Sequence, residues 1–187
     1  MQIKSELRKQ LLSKRSELTE DYRAKAGNSV CENPLLLEQL NVADMVLCYI
    51  SIGSELPTEG IIAYCLKHGI RIAAPVCIGE NILFRYINST DDLRTGSFSV
   101  PEPKAYCLPA EITPSAVCIT PAVCYNESGF RIGYGKGYYD RFFAQNKCVK
   151  IGLCYEELIT EFSPEENDVA VDMIVTEHRF RRLHHGQ

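Results

Sequence analysis

The sequence lacks the patterns that mark membrane and exported proteins. It contains no run of about 18 apolar residues, and no hydrophobic leader follows Met1. A membrane-spanning helix needs such a run, and a signal peptide needs an apolar segment near its start. We therefore expect a cytoplasmic protein without a membrane partner.

Long basic segments are also missing. The chain has 20 Lys and Arg against 24 Asp and Glu, a formal net charge of −4, and its densest basic group is Arg179, Arg181 and Arg182. Surfaces that bind nucleic acid are usually strongly basic. The charge pattern argues against nucleic acid as the main partner.

Cysteine is abundant, but metal-binding and disulfide patterns of cysteine are absent. The nine residues are Cys31, Cys48, Cys65, Cys77, Cys107, Cys118, Cys124, Cys148 and Cys154. The number is odd, no Cys-x-x-Cys occurs, and most lie inside apolar runs. The four histidines (positions 68, 178, 184 and 185) have no metal-ligand spacing with them. We predict buried, reduced thiols and no zinc site.

The remaining composition is that of an ordinary globular chain. Its 187 residues predict one domain with a sizeable core, since 45% are hydrophobic and 24% charged. Hydrophobic periodicity, caps and turn residues predict helices over 2–26, 34–40, 58–68 and 138–145 and strands over 44–50, 70–76, 81–87, 116–120, 149–154 and 169–175. Residues 96–114 hold four prolines and should be irregular or edge structure. This alternation predicts an α/β layered fold with a mostly parallel sheet.

Two loops of this sheet should meet. Glu55 follows the strand over 44–50, and a glycine-rich stretch follows the strand over 116–120. In a parallel sheet both loops leave from the carboxyl edge, where ligands bind. We expect an acidic loop and an anion-binding loop to share one crevice.

The glycine-rich stretch covers residues 129–141. Glycine occupies every second position from Gly133 to Gly137, and Arg131 and Lys136 flank the alternation. Successive backbone N–H groups in such a loop can surround an anion, and the helix that begins behind it adds free N–H groups. A tight turn or a bulge is the alternative. The spacing matches neither a Rossmann fingerprint nor a Walker loop.

Three further features are ambiguous from spacing alone. Lys4 and Arg8 lie one helical turn apart, but Lys9, Lys14 and Arg15 are near them, so a solvated basic face is the favoured interpretation. Asp140 begins the helix over 138–145, where an aspartate either complements the helix dipole or binds metal.

Asp172 lies inside a predicted strand, where aspartate is uncommon. It either binds Mg²⁺, a hard cation that prefers oxygen ligands, or faces water at the strand end.

The run from Gly129 to Arg141 closely resembles the signature of the 5-formyltetrahydrofolate cyclo-ligase family, and the resemblance covers nearly the whole chain. Further matching segments are Lys4-x-x-x-Arg8, Glu55-Leu56-Pro57-Thr58, Leu83-Phe84-Arg85-Tyr86, Gly96 through Glu102-Pro103, and Asp168 through Glu177. Two segments depart from the family pattern. Pro121-Ala122-Val123-Cys124-Tyr125-Asn126 replaces Pro-Gly-x-x-Phe-Asp, and Asn167-Asp168 replaces His-Asp.

The resemblance implies a single-domain three-layer α/β/α sandwich around a mixed sheet. It also implies that Mg-ATP phosphorylates the formyl oxygen of 5-formyltetrahydrofolate, and that nitrogen 10 then attacks the resulting carbon. The products are 5,10-methenyltetrahydrofolate, ADP and phosphate. We expect a monomer that binds these two small molecules and Mg²⁺.

The resemblance also implies residue roles. ATP would contact Lys4, Ser5, Arg8, Arg131, Gly133, Tyr134, Gly135, Lys136, Gly137, Tyr138 and Tyr139. The folate would contact Ile50, Glu55, Tyr134 and Tyr138. Magnesium would be held by Asp140 and Asp172, and Lys136, Arg131 and Tyr139 would act in catalysis. For Lys4 and Arg8, the resemblance reverses the preference for a solvated face.

Two other classes stay open from the residues. One is a non-catalytic relative that binds nucleotide or folate, although a relative without catalysis need not keep Glu55, Lys136, Asp140 and Asp172 together. The other is a sugar-phosphate isomerase or acyl-CoA transferase on a similar layered fold. A transferase would use a glutamate such as Glu55 and would not need ATP.

Overall fold

The structure is a computed structural model that describes residues 4–96 and 100–183. Its helices are α1 (Lys4–Glu17), α2 (Glu20–Cys31), α3 (Pro34–Val42), α4 (Glu59–Lys67) and α5 (Tyr138–Gln145). The first strands are β1 (Val46–Cys48), β2 (Ile72–Ile78), β3 (Asn81–Ile87), β4 (Leu93–Thr95), β5 (Pro101–Pro103) and β6 (Val117–Thr120). The later strands are β7 (Cys124–Tyr125), β8 (Arg131–Ile132), β9 (Val149–Leu153), β10 (Met173–Val175) and β11 (Phe180–Arg182).

Seven strands form one sheet in the order β11-β10-β9-β6-β1-β2-β3. The five central strands are parallel, and the two outer strands, β3 and β11, pair antiparallel with their neighbours. The predicted βαβ unit is confirmed, because β1 and β2 are parallel and α4 connects them. The sheet is therefore mixed and mostly parallel, as predicted.

Helices cover both faces of the sheet. Val46 and Cys48 of β1 join a core that also contains the buried residues of α1 to α4. Leu47, between them, joins a second core with Phe142 of α5. Successive side chains of a strand point to opposite faces, so one three-residue strand contributes to both cores. The α/β layered fold is confirmed, with α1–α4 on one side and α5 on the other.

The predicted helix over 2–26 is wrong as a single element. Of its residues, 2 and 3 lie outside the described ranges. The helix breaks between Glu17 and Glu20, because Thr19 is extended and its side-chain oxygen accepts a hydrogen bond from the Tyr22 N–H at 3.2 Å. That contact caps a new helix.

The predicted end of this helix at residue 26 is also wrong, because α2 continues to Cys31. Gly27 lies inside α2 for a packing reason. A Cβ atom at that position would lie 2.9 Å from the Cβ atom of Pro57, so glycine lets the helix approach the loop before α4.

Asp172 is not inside a strand, which corrects the prediction of a strand over 169–175. The strand β10 begins at Met173, one residue later. Before it, the Asp172 carboxylate accepts a hydrogen bond from the Lys150 backbone N–H at 2.7 Å. This side-chain contact at the start of the strand explains how an aspartate is accommodated there.

A short hairpin precedes the glycine-rich loop and was not predicted. Its strands β7 and β8 pair antiparallel, with only two residues in each, which is too short for a periodicity signal. In the proline-rich segment, β5 pairs antiparallel with β4, which directly precedes the segment, and the two strands form a ribbon outside the main sheet. Residues 97–99 of that segment lie outside the described residues.

Seven of the nine cysteines are buried, and Cys31 and Cys77 are half-buried. All nine are free thiols. Within the ranges 4–96 and 100–183, the structure has no helix that is both long enough and apolar enough to cross a membrane.

Candidate active site

The site lies where the chain changes direction across the sheet. From β1 the chain proceeds through α4 to β2 on one side, and from the neighbouring β6 it proceeds through α5 to β9 on the other. Loops that leave adjacent parallel strands in opposite directions open a crevice at their carboxyl ends. Glu55 follows β1 and the glycine-rich loop follows β6 and the small hairpin, so both flank this crevice.

The glycine-rich loop, residues 133–137, is open rather than packed. A Cβ atom at Gly133 would have no heavy atom within 4 Å, and Tyr134, Gly135 and Lys136 are exposed. Gly135 has φ +89° and Gly137 has φ +65°, values that favour glycine. Gly137 directly precedes α5, whose first N–H groups face the loop end. The loop can accept an anion on its exposed side.

Two cations of α1 pair with residues far along the chain, and Arg8 is the one that contacts this loop. The Arg8 Nε donates to the Gly133 carbonyl at 2.5 Å, and its guanidinium lies beside Gly135. Lys4 forms an ion pair with Asp168, and both side chains are mostly buried. The solvated-face interpretation of these two residues is wrong. Ser5, between them, lies on the exposed side of α1.

Glu55 is buried, with 8% of its surface exposed. Its Oε2 accepts from the Ile52 backbone N–H at 3.0 Å, and its Oε1 accepts from the Tyr134 hydroxyl at 2.9 Å. Burial raises the pKa of Glu55, while these two donors and the charge of Arg15 oppose that rise. The Tyr134 contact confirms that the acidic loop and the glycine-rich loop converge.

Arg15 is the residue of this region that the sequence analysis misplaced. It is 3% exposed, although a solvated basic face was expected. Its Nε donates to Ser54 Oγ at 3.1 Å and its Nη1 to the Ala122 carbonyl at 3.2 Å. Its Nη2 donates to the Tyr134 hydroxyl at 2.5 Å. The signal was its spacing, since Leu7, Leu11 and Arg15 repeat every four residues and share one helix face.

Arg131 is buried and bonded within the protein. Its Nη2 lies 2.8 Å from Asp140 Oδ1, and its Nη1 donates to the Val169 carbonyl at 2.8 Å. The Val169 N–H returns a hydrogen bond to the same Asp140 oxygen at 3.1 Å. This geometry supports a role for Arg131 in orienting Asp140 more than direct contact with phosphate.

Each of the two candidate metal ligands pairs with a basic side chain, Asp140 with Arg131 and Asp172 with Lys150. The Asp172 carboxylate lies 3.0 Å from Lys150 Nζ, and both Lys150 and Arg131 lie against the ring of Phe143, at 6.0 and 5.4 Å from its centroid. The side chains of Asp140 and Asp172 remain 27% and 34% exposed.

Asp140 and Asp172 carry the oxygen donors that Mg²⁺ prefers. The described residues contain no cluster of three or more His, Cys, Asp or Glu placed to hold a metal ion. Mg²⁺ bound with a nucleotide commonly takes one or two carboxylates together with phosphate oxygens, so a larger cluster is not required. In the structure, Asp140 and Asp172 contact the protein through Oδ1 and Oδ2 respectively.

The two tyrosines at the start of α5 differ in environment. The Tyr138 hydroxyl donates to the Gly79 carbonyl at 3.3 Å, at the tip of the β2–β3 hairpin. The Tyr139 hydroxyl is buried and has no hydrogen-bond partner in the described part of the chain, and burial raises its pKa well above the usual value. This placement does not bring the Tyr139 hydroxyl to the exposed side of the loop, where phosphate would bind.

Arg141 connects the glycine-rich loop to the same hairpin tip. Its Nη2 donates to the Lys136 carbonyl at 2.8 Å, and its Nε donates to the Glu80 carbonyl at 2.9 Å. The Lys136 backbone is therefore fixed, while its side chain stays exposed.

A cavity of about 350 Å³ borders Glu55 on the side of α2 and α4. Its lining also includes Arg23 and Gly27 from α2, Pro57, and Gly60 from α4. Pockets for small molecules begin at about 300 Å³. Ile50, two residues after β1, is buried in the adjacent core.

Hydrogen bonds are formed in both segments that depart from the family pattern, by Asn126 in the first and by Asp168 in the second. Asn126 Oδ1 accepts from the Ser128 and Phe130 N–H groups at 3.1 and 2.9 Å, and its Nδ2 donates to the Phe162 carbonyl. Asp168, which follows Asn167, accepts from the Glu165 N–H and pairs with Lys4.

Comparison with known proteins gives a consistent result. The model of the 5-formyltetrahydrofolate cyclo-ligase family matches residues 1–177. A probable 5-formyltetrahydrofolate cyclo-ligase of Caenorhabditis elegans is 27% identical, with 94% of this chain and 93% of the relative covered. The 5-formyltetrahydrofolate cyclo-ligase of Escherichia coli K12 is also 27% identical, with 87% of this chain and 94% of the relative covered.

A solved structure agrees with this assignment. The 5,10-methenyltetrahydrofolate synthetase of Aquifex aeolicus is 31% identical and superposes with a TM-score of 0.87, over 100% of this chain and 95% of that one. On this match along almost its full length, the chain belongs to the 5-formyltetrahydrofolate cyclo-ligase family.

Proposed function

We propose that this protein converts 5-formyltetrahydrofolate to 5,10-methenyltetrahydrofolate and consumes ATP. The observation that supports the proposal most directly is the Tyr134–Glu55 hydrogen bond of 2.9 Å, because it joins an anion-binding loop to a buried carboxylate. A triphosphate suits the first group, and the ring N–H groups of a reduced pterin suit the second. The two substrates would thus lie side by side.

The chemistry needs positioning and charge neutralisation more than a protein nucleophile. The formyl oxygen attacks the γ-phosphorus and ADP leaves. Nitrogen 10 then attacks the phosphorylated formyl carbon, loses its proton, and phosphate leaves with the former formyl oxygen. The protein's task is to hold the two reacting groups within contact distance.

In this proposal the cations around the loop bind the triphosphate. Lys136 is exposed on the loop, and Arg8 already contacts the Gly133 carbonyl. Lys4 and Ser5 come from the same helix end. The N–H groups from Gly133 to Gly137 and the start of α5 add donors that carry no titratable group.

Asp140 and Asp172 would hold Mg²⁺, and Arg131 would orient Asp140. When bound, Mg²⁺ supplies positive charge against the phosphate oxygens. Glu55 accepts from the pterin, Ile50 supplies apolar contact, and Tyr138 lies at the loop end, within reach of either substrate.

The test is direct. We expect the purified protein, mixed with Mg-ATP and 5-formyltetrahydrofolate, to produce the near-ultraviolet absorption of the methenyl product. Turnover should stop without ATP and after addition of EDTA. No product under these conditions would refute the proposed activity.

Lys136→Ala should raise the KM for ATP or lower kcat by about 10- to 100-fold, because a charge-assisted contact to phosphate contributes about 1.5–3 kcal/mol. Lys147→Ala, near the end of α5, is the matched control and should change neither constant. Normal turnover by Lys136→Ala would remove Lys136 from the phosphate site.

The two competing classes give different outcomes. A non-catalytic relative would bind ATP or folate without forming product. A sugar-phosphate isomerase or acyl-CoA transferase would not need ATP. From the family resemblance and the composition together, we also propose a single-domain cytoplasmic monomer without a nucleic-acid or membrane partner.

A further inference from the structure

Arg15 is the most deeply buried cation that the proposed mechanism leaves without a role. A buried guanidinium is unfavourable unless its N–H groups find acceptors. All three of its nitrogens donate, and the acceptors come from three separate segments, namely Ser54, Ala122 and Tyr134. These segments are the loop after β1, the loop after β6 and the glycine-rich loop.

The Arg15 side chain is shielded from water, while its partner Tyr134 is exposed on the glycine-rich loop. The void beside Arg15, lined by Leu56, Val123, Tyr155 and others, leaves no room for a water-sized sphere. The guanidinium also lies 5.6 Å from the centroid of the Tyr134 ring. In such a dry environment a charge–dipole contact is stronger than it is in water.

The contacts form a chain of hydrogen bonds from Arg15 through Tyr134 to Glu55. Arg15 donates to the Tyr134 hydroxyl, and that hydroxyl donates to Glu55 Oε1 at 2.9 Å. The other Glu55 oxygen is occupied by the Ile52 N–H. The direction of donation is therefore fixed from cation to phenol to carboxylate.

We propose that Arg15 is a positioning residue. Through the hydrogen bond to the Tyr134 hydroxyl, it holds that hydroxyl on the Glu55 carboxylate, so that Glu55 is ionised when the folate binds. The inference rests on the proposed function, because it assigns a task to Arg15 within that site. Arg15 acts through Tyr134 and Glu55 and does not itself touch the substrate. It also couples the two substrates, since Tyr134 belongs to the loop that would bind ATP.

Charged and titratable groups surround Glu55 from several elements. They are Arg15 on α1, Glu20 and Arg23 on α2, Tyr49 after β1, Glu59 on α4, Tyr134 and Tyr139 in and after the glycine-rich loop, and Tyr155 after β9. Burial raises the pKa of Glu55, and the charge of Arg15 lowers it. Loss of that charge should move the pKa of Glu55 upward.

The experiment compares Arg15→Met, Arg15→Lys and Tyr134→Phe with the unaltered chain. The dissociation constant for 5-formyltetrahydrofolate is measured without ATP as a function of pH, by calorimetry. Arg15→Met should weaken binding about 10- to 100-fold, since hydrogen bonds to charged groups are lost. Its loss of affinity on acidification should begin at higher pH, while Arg15→Lys should keep the original pH profile.

Two controls separate this role from a general loss of structure. Lys14→Met changes the neighbouring cation, which contacts only Glu157 among the described residues, and should leave both affinity and pH profile unchanged. In a Glu55→Gln background, Arg15→Met should cause no shift of the pH profile. If Arg15→Met does not fold, Arg15→Lys and Tyr134→Phe still test the line of donors.

The outcomes are distinct. If the unaltered chain does not bind 5-formyltetrahydrofolate, the proposed function fails. If it binds, and Arg15→Met folds with an unshifted pH profile, the positioning role of Arg15 is refuted while the function stands. If Tyr134→Phe binds folate with unchanged affinity, the line through Tyr134 is wrong.

Discussion

At the residue scale, Glu55 shows how a binding group can oppose stability. The carboxylate is buried, and burial raises its pKa because the charged form loses its hydration. The Ile52 N–H, the Tyr134 hydroxyl and Arg15 offset part of this effect. A carboxylate kept in such a place is more consistent with recognition of a donor-rich ligand than with support of the fold.

Glu55→Gln should raise the KM for 5-formyltetrahydrofolate about 10- to 100-fold, because the amide lacks the charge and the second acceptor that the pterin N–H groups need. The KM for ATP should change little, since the proposed phosphate site is on the glycine-rich loop and not at Glu55. Steady-state kinetics with each substrate varied in turn measures both values. An unchanged folate KM would remove Glu55 from the site.

The same substitution should change stability in a pH-dependent way. A carboxyl whose pKa is raised in the folded state lowers stability as the pH rises from its unfolded pKa through its folded pKa. Glu55→Gln removes this loss. We therefore expect its Tm to exceed that of the unaltered chain at pH 8 by more than at pH 4, as measured by calorimetry. A lower Tm at pH 8 would show that the hydrogen bonds of the carboxylate outweigh its desolvation.

At the element scale, the break between α1 and α2 orients the site. It lets α1 direct Arg8 and Arg15 toward the loops at the carboxyl edge, while α2 packs against α4. A continuous helix would extend along one line, so it could not follow both packing directions. The break depends on Thr19, which caps α2.

Thr19→Ala should lower the free energy of unfolding by about 1 kcal/mol, the usual effect of losing an N-cap. For a chain of this length that is a decrease in Tm of about 2–4 °C. Thr19→Ser keeps an oxygen for the Tyr22 N–H and should retain most of the stability. Chemical denaturation measures all three proteins, and equal midpoints would contradict the capping role.

At the scale of the whole molecule, the candidate ATP site joins distant parts of the chain. Its groups come from α1 and the loop before α5, and Lys4 extends it to Asp168. The net charge of −4 does not attract anionic substrates, so the attraction must come from this local cluster. A ligand that binds the folded state there should stabilise the chain.

Mg-ATP at about 100 times its dissociation constant should therefore stabilise the protein by about 2.7 kcal/mol and raise Tm by about 5–10 °C. Thermal denaturation at increasing Mg-ATP concentration measures the shift. Arg8→Ala should reduce the shift at the same ATP concentration, whereas Lys14→Ala should not. An equal shift in Arg8→Ala would place the nucleotide away from α1.

The sequence by itself determined the local features. Apolar runs of strand length predicted the main strands, and hydrophobic stripes with cap residues predicted helices, since each depends on neighbours in the chain. The glycine alternation predicted an open loop, and the order of β1, α4 and β2 predicted parallel strands. The family resemblance on Gly129–Arg141 predicted the family that the comparisons then confirmed.

Only the tertiary structure decided which charges are buried and with what they pair. The guanidinium of Arg15 donates to Tyr134, and that of Arg131 pairs with Asp140. Most of the contacts that these two guanidinium groups make join residues that are far apart in the sequence. Gly27 remains helical because Pro57 packs against it. The sequence pattern gives the position of a charged residue on its own helix or strand. Whether that charge is hydrated or buried depends on the residues that the fold packs against it, and these are set only when the layers of the fold assemble.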